Sequence, residues 1–285
     1  MSLLLLATPA GPLPFATDKD RPPAAEEDTG NPTAENRSGG GETGFRKHSR
    51  TFLDDGKYLL TFPSRPTRRG VFITASVVGA TAYLVTRDEE LRDWLEGHRS
   101  ETTGDLERIF EPIGRAGSGF VITGGGWLLG RFFGRDRLRR TSAVAFESFV
   151  YTGVITAAAK GLFARERPDE PGSTGQFWEG ESAFPSGHTS RTFAIASVFA
   201  ESYGPRAAWV AYPIATLVGL ARLEDSTHWA SDVLAGGALG IVIGKALARR
   251  HDLRPDDRSS GRRRGARYAM MAGPGGFGVR IHLGP

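Results

Sequence analysis

His228 and Asp232 stand four residues apart in the run Arg222-Leu-Glu-Asp-Ser-Thr-His228-Trp-Ala-Ser-Asp232. Upstream lie Pro185-Ser186-Gly187-His188 and a cationic pair, Lys160 and Arg167, with Pro168 directly after it. Each cluster meets a different need of phosphoryl chemistry: fixed cations for the oxyanions, a glycine turn that brings main chain close to them, and two imidazoles for covalent and proton-transfer work. Taken singly, Pro-Ser-Gly-His is an ordinary lead into a helix, and a histidine four residues before an aspartate is an ordinary hydrogen-bonded helix face. Their ordered combination points to a phosphate-transfer site.

Across residues 160–232 the chain resembles the type 2 phosphatidic acid phosphatase superfamily. The family pattern runs Lys-x6-Arg-Pro, then Pro-Ser-Gly-His, then Ser-Arg-x5-His-x3-Asp. One position departs from it: Ala221 stands where the third motif opens with serine, which removes a hydroxyl from the expected phosphate-binding set. The resemblance implies an active, metal-independent histidine phosphatase with no cofactor. It would hydrolyse a phosphomonoester or diphosphate, most often of a membrane lipid, through a phosphohistidine intermediate. A soluble periplasmic acid phosphatase using the same residues is the runner-up. A vanadate-dependent haloperoxidase, which shares the anion site, and an inactive membrane homologue are further alternatives.

Residue chemistry assigns the parts. His228 and Asp232, at i and i+4 near the start of a helix, project from one face. The carboxylate then fixes the tautomer of His228 and leaves the other ring nitrogen free to attack phosphorus. Ser186 and Gly187 precede a helix, so their amides are candidates to face an anion at its N-terminus. His188 is placed as the general acid for the leaving alkoxide and then as the base for water. Lys160, Arg167 and Arg222 supply positive charge to the non-bridging oxygens. Arg165 and Glu147 are further candidates for lining the pocket, whereas His48, His98, His251 and His282 lie in polar segments and receive no role. The sequence offers no acidic cluster with metal-ligand spacing, so no metal is expected.

Six apolar stretches must position these groups: about 71–86, 116–134, 141–163, 189–203, 206–221 and 230–248. All six read as helices, giving an all-α bundle of about six core helices over residues 51–252. Residues 51–69 mix apolar and charged side chains, as in an amphipathic segment on a bilayer interface or a helix packed on the core. Residues 1–50 open on a short apolar run broken by Pro9, Pro12 and Pro14, a poor secretory signal or a remnant of one, and continue as a polar segment expected to be disordered. Residues 253–285 read as a basic tail in which a short hairpin around Gly273-Pro274-Gly275-Gly276 is conceivable.

Composition leaves the solvent of the bundle open. The mean hydropathy of −0.27 is low for a membrane protein, and Glu147, Arg191, Glu201 and Lys245 interrupt apolar runs that are mostly shorter than the roughly 20 residues a span requires. Loop charges favour the membrane. If the six helices cross alternately, Arg65, Arg68 and Arg69, the Arg131–Arg140 cluster, Arg206, and Arg249 and Arg250 fall on one side. The acidic segment Arg87–Arg115 and all three motifs fall on the other. The basic side belongs in the cytoplasm, which places the site on the periplasmic face of a bacterial inner membrane. The chain of 285 residues has no cysteine, which excludes thiolate chemistry and disulfides, and its net charge of +4 is too locally clustered to suggest nucleic-acid binding. Expected partners are the membrane and a lipid phosphate; oligomeric state is not legible.

Overall fold

The computed structural model describes residues 52–61, 67–180 and 182–253, together with the backbone of 267–273 and 276–282. The expectations for residues 1–50 fall outside this set. Helix α1 covers residues 52–61. It is followed by α2 (Arg68–Val85), α3 (Asp88–Gly97), α4 (Glu101–Gly114), α5 (Ala116–Phe132) and α6 (Asp136–Phe163). Then come α7 (Gly187–Tyr203), α8 (Pro205–Glu224) and α9 (Ala230–Arg250). Strands β1 (Arg267–Gly273) and β2 (Gly276–His282) pair antiparallel, Arg267 opposite His282. All six apolar stretches are helical, as α2 and α5 to α9, and the bundle forms around them.

The Arg87–Arg115 segment, read from sequence only as an acidic loop, folds as two further helices. Their start signals are local: Asp88, Glu89 and Glu90 fill the first turn of α3, and Ser100 caps α4 by accepting the Thr103 amide at 3.3 Å. Helix α1 packs on the bundle rather than lying free. Phe52 stacks on Tyr151 at 4.6 Å, and buried Asp55 meets His251 at 2.7 Å and also pairs with Arg250.

At the centre, α7 and α9 approach at backbone contact. Gly236, Gly240 and Gly244 recur every four residues and so share one face of α9. A Cβ on Gly236 would lie 2.6 Å from the Ser186 carbonyl oxygen, and Cβ atoms on Gly240 and Gly244 would meet the carbonyls of Ser190 and Ala194 closer still. Small residues at this spacing let helix backbones touch, the arrangement by which helices associate where water provides no driving force. That contact sets the Pro185–His188 turn against the start of α9.

The distribution of side chains is inverted relative to a water-soluble bundle. Helix-interior positions are small or hydroxylic, with Thr123, Thr141, Ser142, Thr152, Thr156, Ser190, Ser197 and Ser202 all buried. Several pair across helices, such as Thr156 with Ser190 at 3.0 Å and Thr141 with Ser202 at 2.6 Å. Large apolar side chains face outward instead, with Trp209 82% exposed, Phe132 78% and Phe72 73%. Such a surface suits hydrocarbon. Helices α6 and α9 are long and apolar enough to cross a membrane, and α2 with α3, bent by 63°, makes a third candidate crossing if taken as one span. Helices α5, α7 and α8 do not meet that standard on their own. Central α7 is enclosed by α6, α8 and α9, so its sequence need not be apolar all round.

The bundle has two chemically distinct ends. Arg137 donates to the Ser202 carbonyl and Arg249 pairs with Glu201 at 3.1 Å, which gathers the start of α6 and the ends of α7 and α9 at one end. The end of α6, the start of α7, the end of α8 and the start of α9 meet at the other.

Candidate active site

Lys160, Arg167, Gly187, His188, Arg222 and His228 line one cavity of about 240 Å³ at the second end, with Thr156, Thr227 and Arg191. The structure therefore brings both imidazoles and all three expected cations into a single space. Asp232 and Ser186 lie behind its wall, fully buried.

His228 occupies the short link between α8 and α9, its side chain 5% exposed. Its Nδ1 faces Asp232 Oδ2 at 3.5 Å, a long contact of the kind that commonly tightens when substrate arrives. Asp232 is held from two sides. Its Oδ2 accepts the Trp229 amide at 2.9 Å, and its Oδ1 accepts from Arg165 at 2.6 Å. Burial pushes the His228 pKa below its ordinary value, and Lys160 and Arg167 push the same way, while Asp232 opposes them. The shift favours the neutral imidazole, whose Nε2 lone pair is the nucleophile.

Arg165 corrects one expectation. It does not line the cavity but runs beneath it, 1% exposed, and bridges Asp232 to Asp88 at 2.8 Å while donating to Ser231 Oγ at 2.7 Å and the Gly175 carbonyl at 2.9 Å. Its guanidinium also lies 4.7 Å from the Phe177 ring centre and 5.4 Å from that of Trp229. It is a positioning residue that ties the loop after α6, the start of α3 and the start of α9 into one base under His228. Glu147 lies elsewhere as well. It is thirteen residues before Lys160 on α6, about 20 Å away along the axis.

Ser186 also departs from its expected part. Its amide donates to the Asp232 carbonyl at 3.0 Å, so it cannot face an anion in the cavity. Gly187, the first residue of α7, does line the cavity. Lys160 reaches the carbonyls of Ser182 and Ala183, and Arg167 the Ser182 hydroxyl at 3.4 Å, which braces the loop leading into the turn. Arg222 is buried against Asp225 at 2.6 Å. Ala221 is 2% exposed and is not part of the cavity wall.

Two neighbours of the motifs were not legible in the sequence. Glu111, at the end of α4, stands 3.7 Å from His188 Nε2 and 3.6 Å from Arg222 while accepting from Arg115 at 2.9 Å. Its partial burial raises the pKa, but Arg115, Arg222 and His188 outweigh that and hold it below the usual carboxylate value. Arg191, one turn beyond His188, is a fourth cation on the cavity wall. A separate group, Asp55, Glu147 and His251, offers ligand atoms within 4.8 Å of one another at the opposite end of the bundle. Arg250 pairs with Asp55 there, so the group is already charge-compensated as an ion-pair network.

The chain is similar to several known proteins. The family model of the PAP2 superfamily matches residues 142–255. A decaprenylphosphoryl-5-phosphoribose phosphatase of Mycobacterium tuberculosis is 32% identical over 124 residues, 42% of this chain and 68% of that protein. A lipid A 1-phosphatase of Porphyromonas gingivalis is 38% identical over 96 residues, 33% of this chain and 20% of that protein. Among solved structures, the transmembrane PAP2-type phosphatidylglycerolphosphate phosphatase of Bacillus subtilis superposes with a TM-score of 0.49 at 20% identity, covering 64% of this chain and 97% of that one. The chain belongs to the PAP2 superfamily. It spans less than half the length of the first curated relatives it matches.

Proposed function

We propose that the protein is a metal-independent phosphatase of a membrane lipid phosphate or diphosphate, working through a phosphohistidine on His228, with its catalytic end on the periplasmic side of a bacterial inner membrane. The observation that carries this reading is the cavity itself, where two imidazoles and four cations share one wall. Its position favours a lipid. Gly153 and Ala157, one turn apart on α6, form a low sill to the cavity, and Ala157 is exposed on the outer face near Val154, itself 63% exposed. A headgroup can sit in the cavity while its chain stays in the bilayer.

In the first half-reaction His228 Nε2 attacks phosphorus in line. The bond to the leaving oxygen breaks with its electron pair, and His188 protonates that oxygen. The proton on Nδ1 stays with the ring and is stabilised by Asp232. In the second half His188 takes a proton from water, the water oxygen bonds to phosphorus, and the P–N bond returns its pair to Nε2. Lys160, Arg167 and Arg222 meet the charge on the non-bridging oxygens throughout, where electrostatic stabilisation contributes most.

The periplasmic orientation rests on the charge asymmetry of the two ends. The lipid reading draws further support from relatives whose names describe lipid A and decaprenylphosphoryl substrates. The test is hydrolysis by detergent-solubilised protein with chelator present, on a lipid phosphate and a short soluble monoester side by side. Turnover of the lipid, inhibition by vanadate, and a fall in the lipid-to-soluble activity ratio for Ala157→Leu are expected. A strict magnesium requirement would overturn the mechanism, and equal rates on both substrates the lipid assignment.

A further inference from the structure

Each of the two imidazoles in the cavity is faced by a carboxylate. His228 meets Asp232 through Nδ1 at 3.5 Å, and His188 meets Glu111 through Nε2 at 3.7 Å, within ion-pair range of a protonated ring. Asp232 belongs to the same motif as its histidine. Glu111 comes from α4, outside all three motifs.

The second contact fixes which nitrogen of His188 can meet substrate. A Cβ placed on Gly114 would lie 2.9 Å from His188 Cδ2, so the Cδ2–Nε2 edge of the ring is packed against the end of α4. Nδ1 lies on the opposite edge. The cavity that His188 lines is walled by α6, α7, α8 and the segments that follow α6 and α8, with no residue of α4 among them. The edge turned away from α4 is therefore the one turned toward substrate.

Charge gives the contact its purpose. The charged and titratable groups that face His188 come from three helices and one link: Glu111 on α4, Arg191 on α7, Arg222 on α8 and His228 before α9. Among the described residues Glu111 is the one carboxylate in this set. A proton on His188 is repelled by two guanidinium groups, and a general acid that cannot keep its proton cannot protonate a leaving oxygen. Glu111 answers this from a fixed position, because Arg115, one turn along α4, donates to it at 2.9 Å. Partial burial raises its pKa, but Arg115, Arg222 and His188 hold it below the usual carboxylate value. It is ionised across the range in which a histidine titrates.

Building on the phosphatase reading, we propose that Glu111 is the positioning residue of the general acid: it holds His188 through Nε2 and keeps a proton on the ring, so that Nδ1 delivers this proton to the leaving oxygen. As His228 attacks phosphorus, the P–O bond breaks with its electron pair passing to oxygen, and the Nδ1 proton bonds to that oxygen. The neutral ring keeps its Nε2 proton toward Glu111. In the second half Nδ1 takes a proton from the attacking water, and the carboxylate stabilises the imidazolium that forms. Glu111 thus does for His188 what Asp232 does for His228.

The experiment measures kcat/KM of the full chain in detergent, with chelator present, on dodecyl phosphate and on para-nitrophenyl phosphate. An alkoxide needs a proton in order to leave, whereas nitrophenolate leaves without one. Glu111→Gln keeps the shape of the side chain and removes its charge. It should lose about 10- to 100-fold on dodecyl phosphate, part of the roughly 10²- to 10⁴-fold that a general acid supplies, and about tenfold less than that on the nitrophenyl ester. The basic limb of its dodecyl phosphate profile should move to lower pH, because a ring without a carboxylate 3.7 Å away gives up its proton more readily. Glu111→Asp restores the charge and should recover part of the loss; should Glu111→Gln fail to fold, Glu111→Asp carries the same comparison with a smaller selective loss. An equal loss on the two esters, or an unmoved limb, would overturn the assignment and leave Glu111 as a partner of Arg222 alone. Wild-type protein that cleaves neither ester would instead overturn the phosphatase reading on which the assignment rests.

Discussion

Burial holds the folded pKa of His228 below the ordinary histidine value of 6.5. The unfolded chain takes up a proton on this ring as pH falls through about 6.5, whereas the folded chain does so only at lower pH. Stability from this group is therefore complete above that value and declines as pH falls toward the folded pKa. The same shift keeps the nucleophile unprotonated, so the acid limb of the kcat/KM profile should lie below pH 6.5. A limb above that value would show the ring titrating as an exposed histidine. Arg165 is open to a second test. Arg165→Met leaves Asp88 and Asp232 buried without their shared cation, which should cost about 3–5 kcal/mol in denaturant unfolding. A loss under about 1 kcal/mol would remove its role as the base of the site. His188, His228 and Asp232 were legible because the chemistry constrains residue type and spacing within short motifs. Arg165, Glu111 and Arg191 were not. The partners of Arg165 lie 67 and 77 residues away, distances at which no local pattern can mark them.

Element by element, hydrophobic periodicity located the six core helices, since each is long and carries a continuous apolar run. It missed α3 and α4, whose amphipathic residues are diluted by nine acidic ones over Arg87–Arg115, although their caps and acidic first turns were present in the sequence. Those two helices matter to the site. Gly114, at the end of α4, lies where a Cβ would meet Val218 at 2.7 Å and His188 at 2.9 Å. Gly114→Ala should therefore displace the His188 ring and lower kcat while the protein remains folded. Gly240→Val behaves differently, because the added atoms meet the Ser190 backbone and nothing flexible can yield. It should separate α7 from α9 and prevent recovery of folded protein, as judged by size-exclusion profile in detergent. A Gly240→Val protein with normal profile and activity would contradict the close helix contact that sets the turn at Gly187.

At the scale of the whole molecule, the decision between membrane and water could not be made from mean hydropathy. Polar segments outside the bundle lower the average, and the helices keep serine and threonine inside rather than leucine. The structure resolves it through which side chains face out. The basic ends of α5, α6 and α9 lie away from the cavity, so the proposed orientation is open to a labelling test. The chain has no cysteine, so Thr102→Cys near the catalytic end and Arg135→Cys at the basic end each provide a unique thiol. A membrane-impermeant maleimide applied to intact spheroplasts should label position 102 and spare 135. The reverse pattern would place the cavity in the cytoplasm.

A covalent phosphoryl group carried by His228 without metal should be trapped by rapid quench of a ³²P-labelled lipid phosphate turnover in chelator. The expected result is a protein-bound label that survives alkali, is lost in acid, maps to the peptide containing His228, and is absent from His228→Ala. Turnover without any bound label, or a label that maps to His188 and persists in His228→Ala, would contradict it.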